Sequence, residues 1–273
     1  MKPAAFDFIR AGSVAEASRH LKDTDGGARV VAGGQSLGPM LNLRLARPAL
    51  LIDITGIPEL TEISATDDVV TIGACVSTAN IEDGRLPGRG LEPLAAIAAN
   101  IAYRAVRNRG TIGGSLCHAD PAADWVATLC ALGAECLISG TNGRRRLPAD
   151  QFIIAAYENA LAADEVLEAI SIPRLSLNGT WGYHKVCRKT GEFALAMGAV
   201  LHDPDRNVFR AVIGATQGKP IVVADARELQ RPGRMLDENA VIRVLERHGI
   251  TNTLVRRQQF AALSRAYVQA KIQ

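Results

Sequence analysis

The chain has no hydrophobic run long enough to cross a membrane as a helix. Its longest mostly apolar stretch, Trp125 to Ala134, is ten residues and includes Thr128 and Gly133. A spanning helix needs about 20, so the stretch predicts a buried helix. Aromatic residues make up only 4%, and no basic face interleaved with aromatics is visible, which argues against a single-stranded nucleic-acid platform. The charge balance, 31 − 28 = +3, is too small and dispersed to favour an anionic polymer or membrane surface. The five cysteines, Cys75, Cys117, Cys130, Cys136 and Cys187, are odd in number and contain no C-x-x-C pair, which argues against a disulfide framework or a zinc knuckle. The start, Met1-Lys2-Pro3-Ala4-Ala5-Phe6-Asp7, carries charge where an export signal has its apolar stretch, and predicts a cytoplasmic protein. Low-complexity linkers and repeat periods are also missing.

What remains is a globular chain of 273 residues, 48% hydrophobic, ample for one large domain or two modest ones. Ser13 with Glu16 three residues on forms a capping box, and Val14, Ala17 and Leu21 continue as a helical stripe, with Ser18 off it. Strands over 29–32 and 49–54 complete a small α/β unit, expected to be parallel. A strand over 69–74, helices over 91–100 and 122–132, a hairpin over 135–147 turning at Asn142-Gly143, and a strand over 165–172 form the middle. Three antiparallel strands over 181–188, 194–202 and 209–216, then helices over 237–248 and 253–271, form an α+β tail. Boundaries are expected near residues 55 and 176.

Two glycine pairs stand out. Val30-Val31-Ala32-Gly33-Gly34-Gln35-Ser36-Leu37 follows a strand, and Arg109-Gly110-Thr111-Ile112-Gly113-Gly114-Ser115 lies near mid-chain. Each reads as a tight turn or as a loop whose unshielded amides and neighbouring hydroxyls approach a pyrophosphate. Neither matches G-x-G-x-x-G or G-x-x-x-x-G-K-[ST], so dinucleotide-fold and P-loop readings are poor. Asp120-Pro121 reads as an N-cap with proline at the first helical position. Asp124 then falls in the first turn, where a carboxylate suits the helix dipole.

The strings AGGQSL and RNRGTIGGS, with HADPAAD just beyond, resemble the flavoprotein (medium) subunit of molybdenum hydroxylases, the family of carbon monoxide, xanthine and nicotine dehydrogenases. The resemblance extends from Lys2-Pro3 through Leu43-Arg44-Leu45-Ala46-Arg47-Pro48 to the segment from Lys185 to Gly191 and to Val212-Ile213-Gly214-Ala215. It implies an α+β chain. The FAD-binding fold of the p-cresol methylhydroxylase type would occupy 1–175, with subdomains of about 1–55 and 56–175. A C-terminal α+β domain, a three-stranded antiparallel sheet with helices, would occupy 176–273.

The resemblance also implies site residues. Val30, Val31, Ala32, Gly33, Gly34, Gln35, Ser36 and Leu37 would wrap the FAD pyrophosphate. Thr111, Ile112, Gly113, Gly114 and Ser115 would supply further phosphate and ribityl contacts; many relatives have asparagine where Ser115 stands. Ile101 would lie on the adenine side, or be a core isoleucine. His118 would contact the cofactor, or simply pack. Asp124 would accept from FAD hydroxyls, the alternative being its helix-dipole role. Leu167 would reach the flavin through its backbone. Lys185 would sit by the pyrimidine end of the ring, where a cation favours the reduced flavin, the alternative being a solvated strand lysine. The segment Arg188 to Phe193 resembles a mobile loop beside the flavin, with Phe193 either near the ring or a core aromatic entering the next strand.

No catalytic residue and no metal ligand is expected in this chain. Molybdopterin and [2Fe-2S] clusters are implied for a large and a small partner subunit, in a heterotrimer or its dimer. The implied function is passage of electrons from those clusters through FAD to an external acceptor. Two alternatives stay open: a self-contained FAD oxidoreductase, and an assembly subunit that has lost its flavin.

Overall fold

The computed structural model describes residues 2–88, 90–232 and 235–272. The N-terminal strands Asp7–Arg10, Leu50–Asp53 and Ala28–Val31 form a parallel sheet in that order. The helix Val14–Asp23 crosses between the first and last of them. The Ser13 cap forms, its hydroxyl accepting from the Glu16 amide at 3.2 Å, but Glu16 Oε2 accepts from the amide of Gly12, one residue before the cap, at 2.7 Å, so the reciprocal bond of a capping box is displaced. Ser18 is buried beside Val14, Ala17 and Leu21, not off the stripe, because it lies four residues after Val14 on the same face. Asp53 ends the central strand. Its carboxylate accepts from the Thr55 amide and hydroxyl and from Arg10. Burial works against ionisation there, but those donors win and hold the carboxyl below the usual range.

The middle of the chain builds a five-stranded antiparallel sheet, ordered Ile63–Ala65, Val69–Gly73, Val166–Pro173, Glu135–Gly140, Gly143–Pro148. The expected hairpin turns between Gly140 and Gly143. A register shift between Leu167 and Ala169 interrupts the central pairing, and the Glu168 carbonyl there accepts from the Ala74 amide at 2.9 Å. The apolar stretch becomes the helix Asp124–Leu132, buried along its whole length. It starts two residues later than expected. Asp120 is not its N-cap: its carboxylate accepts from the Ala122 amide in a separate turn, and Ala123 takes the cap position.

The C-terminal sheet has four antiparallel strands: Thr180–Val186, Ala196–Asp203, Val208–Gly214 and the short Ile221–Val223. The last adds to the expected three. The helices Glu238–Arg247 and Thr253–Gln269 follow, the second packed along the first two strands. One apolar core joins the middle sheet, the helix Asp124–Leu132 and the inner residues Met197, Ala199 and Val212 of the C-terminal sheet. The N-terminal sheet packs in a separate apolar cluster with the helix Val14–Asp23, which Val166 of the middle sheet also joins.

Candidate functional site

The first glycine segment leaves the strand Ala28–Val31 and turns into the short helix Leu37–Asn42. A Cβ at Gly33 would overlap the backbone carbonyl of Arg109, so only glycine lets the two glycine segments meet. Gly34 takes a left-handed conformation, φ +70°. Among the described residues, the amides of Gly33, Gly34, Gln35, Ser36 and Leu37 donate to no acceptor in the chain, and the Ser36 hydroxyl makes no capping bond. Consecutive uncommitted amides around an αL residue form an anion-binding concavity.

The second glycine segment is a helix start. Thr111 caps the helix Ile112–His118, its hydroxyl accepting from the Gly114 amide at 3.0 Å. Its other amides are engaged: Ile112 donates to Val76, Gly113 to Ala74 and Ser115 to Thr111. Two glycine pairs of similar sequence are therefore built differently. The first keeps its amides uncommitted; the second is a packed base against which the first loop rests, through Gly33 on Arg109. His118, at the end of this helix, packs its ring 5.2 Å from that of Tyr157.

The segment 100–110 joins this base to the C-terminal sheet. Gly110 lies by Gln35, while the Asn100 carbonyl accepts from Lys185 at 3.1 Å. Ile101 pairs with Gly191 in a parallel bridge and packs partly against the middle core. Arg107 donates to the Ile101 and Ala102 carbonyls and is held by Glu82 at 2.7 Å. This fixes the segment from Arg188 to Phe193 beside Ile101. Lys189 stands 5.9 Å over the Tyr103 ring. Phe193 is 68% exposed, which excludes the core-aromatic alternative.

Lys185 and Asp124 meet. Lys185 Nζ lies 2.9 Å from Asp124 Oδ1 and 3.0 Å from Oδ2, and each side chain is only 7% exposed. The solvated-lysine alternative is thereby overturned. Tyr183, which the sequence reading did not single out, donates its hydroxyl to Asp124 Oδ1 at 2.6 Å. The available signal was spacing, since Tyr183 and Lys185 are two apart on one strand and so share a face. Burial pushes the Asp124 carboxyl upward, opposed by Lys185 and Tyr183. Burial and the Asp124 charge push the Tyr183 phenol far up, so it stays a neutral donor. Leu167 is buried, its side chain in the core. The thiols of Cys75, Cys117 and Cys130 are pushed up to about 12, by burial first. None is a ready nucleophile.

Residues 4–175 match the family described as the FAD binding domain in molybdopterin dehydrogenase. The chain belongs to this family. The nicotine 6-hydroxylase medium subunit of Paenarthrobacter nicotinovorans is 35% identical over 243 residues, 88% of this chain and 85% of that one. The carbon monoxide dehydrogenase medium chain of Hydrogenophaga pseudoflava is 40% identical over 201 residues, 74% of this chain and 70% of that one. Among solved structures, carbon monoxide dehydrogenase from Hydrogenophaga pseudoflava matches with TM-score 0.87 and 31% identity over 99% of both chains. Quinoline 2-oxidoreductase from Pseudomonas putida 86 matches with TM-score 0.86 and 30% identity, over 99% of this chain and 98% of that one. The α+β fold expected from the sequence motifs is the fold of this family, and as a member this FAD-binding chain is an oxidoreductase subunit. Among the described residues, no helix is long and apolar enough to cross a membrane, and no group of three His, Cys, Asp or Glu side chains could hold a metal ion.

Proposed function

We propose that this chain is the medium subunit of a three-component molybdenum hydroxylase, passing electrons from a partner's iron–sulfur clusters through FAD to an external acceptor. The observation that carries the reading is the row of uncommitted amides from Gly33 to Leu37, seated on the second glycine segment in a chain of this family. That row fits a diphosphate, the central anionic part of FAD.

When bound, FAD accepts electrons singly or in pairs. The work of this chain is to bind, orient and tune it. The segment from Val30 to Leu37 wraps the diphosphate. Thr111 and Ser115 offer hydroxyls beside it, on the base formed with Ile112, Gly113 and Gly114. Ile101 and His118 border the cofactor, and the Leu167 backbone and Lys185 face the ring. In this reading Asp124 accepts from a cofactor hydroxyl as well as holding Lys185. The FAD-binding part spans 1–175, divided near 55, and the C-terminal part spans 176–273. The organic substrate is oxidised at a molybdopterin centre in a large partner, a small iron–sulfur partner completes the complex, and the assembly works in the cytoplasm. The relatives' names, medium subunit and medium chain, support such partners.

Affinity purification of the tagged chain from its native host tests the assembly. The expected result is equimolar recovery with a molybdopterin-bearing chain and an iron–sulfur chain. Recovery alone, with a flavin and a substrate oxidation of its own, would replace this reading with the self-contained oxidoreductase.

A further inference from the structure

The contact between Lys185 and Asp124 changes what the lysine can do. An ammonium has three N–H donors. One goes to the Asn100 carbonyl and at least one to the Asp124 carboxylate, whose two oxygens lie at 2.9 and 3.0 Å. At most one is left to face a ligand. The charge is also not free: the cation and the carboxylate are buried together 2.9 Å apart, and two opposite charges that close largely offset each other at a third group farther away. Tyr183 completes the arrangement. Its hydroxyl, 2.6 Å from Asp124 Oδ1, occupies one side of the carboxylate and holds it facing Lys185. The three residues come from two elements, the helix Asp124–Leu132 and the strand Thr180–Val186. The unit therefore exists only when the C-terminal sheet is docked on the middle core.

We infer that Asp124, Lys185 and Tyr183 act as one electrically balanced unit toward the flavin, with Asp124 setting how much of the Lys185 charge the ring feels and Tyr183 as the positioning residue for Asp124. This rests on the placement of Lys185 beside the flavin proposed above. It goes beyond that placement in assigning the tuning to a pair and not to a lone cation, and in giving Tyr183 a role.

The consequences have opposite signs. Reduction adds negative charge to the flavin. Lys185→Met removes the cation that opposes the burial of Asp124: where the carboxylate stays ionised the FAD potential falls, and where it takes up a proton the potential matches that of the double variant. Asp124→Asn removes the carboxylate and leaves the cation, so it rises. The double variant removes both and returns most of the way to the wild-type value. Tyr183→Phe keeps both charges but frees one side of Asp124. It is expected to broaden the temperature factors or NMR signal of the Lys185 head group while FAD content stays at the wild-type level.

The test is a dye-mediated redox titration of FAD in the assembled complex for wild type, both single variants and the double variant. Flavin content and circular dichroism of each are measured alongside. Asp124→Asn carries the test on its own should the methionine variant not fold. A rise in Asp124→Asn that the double variant reverses is the expected result. An unchanged potential in Asp124→Asn, with FAD fully bound and the potential of Lys185→Met lowered, would overturn the paired unit while leaving Lys185 at the flavin. Unchanged potentials in both single variants, with FAD fully bound, would overturn both the unit and the placement of Lys185, and would leave the cofactor assignment standing.

Discussion

At Gly33 the absence of a side chain serves the protein's own packing. The missing Cβ faces the Arg109 carbonyl, so the glycine is needed for one loop to sit on another. From sequence, either approach to a pyrophosphate or a tight turn accounted for this residue, because both need an unshielded backbone. Distinguishing an inward from an outward approach requires knowing which segment lies opposite, and Arg109 is far along the chain. The same limit applied to Lys185 and Asp124. Each was legible as a candidate, but a contact spanning 61 residues leaves no local trace. Tyr183 was legible in principle from its place on the Lys185 face. Gly33→Ala is therefore expected to act through packing: the added methyl forces the two segments apart, costing about 1–3 kcal/mol as overpacking does. The melting temperature should fall together with the FAD content of the purified protein. A stable variant with full flavin content would show that the close approach is not needed.

At the scale of elements, the legible parts were those with strong periodicity or turn chemistry. The hairpin at Asn142-Gly143, the Ser13 cap and the two C-terminal helices all formed. Short elements were not legible. The strand Asp7–Arg10 has four mostly exposed residues, and Ile221–Val223 has three. Neither gives an alternation long enough to separate from loop. The second glycine segment was read as a loop because Gly113 and Gly114 disfavour helix. Thr111 overrides that by capping, and contacts with Val76 and Ala74 hold the first turn in place. The cap was expected at Asp120 and lies at Ala123, since Asp120 satisfies a local turn first. Thr111→Val keeps the shape and removes the acceptor for the Gly114 amide. Loss of such a cap costs about 1 kcal/mol, which for a chain of this size lowers the melting temperature by roughly 2–4 °C. Thermal unfolding followed by circular dichroism measures it, and an unchanged midpoint would remove the cap from the account.

At the scale of the whole molecule, the proposed site draws its residues from three separate parts of the fold. The first loop comes from the parallel sheet, its base from the helix Ile112–His118, and Lys185 from the C-terminal sheet. The overall fold was legible because two long motifs at a fixed separation specify a family more tightly than any periodicity does. The central claim is that this surface holds FAD non-covalently, one per chain, and that oxidation of an organic substrate needs partners. It is tested most directly by acid precipitation of the protein purified from its native host, with the released flavin identified and counted. The account predicts one FAD per copy of this chain in the supernatant, none in the pellet, and no hydroxylation of heterocycles by the chain once separated from its partners, although dithionite still reduces its flavin. Protein purified without flavin, flavin retained in the pellet, or hydroxylation by the separated chain would contradict it.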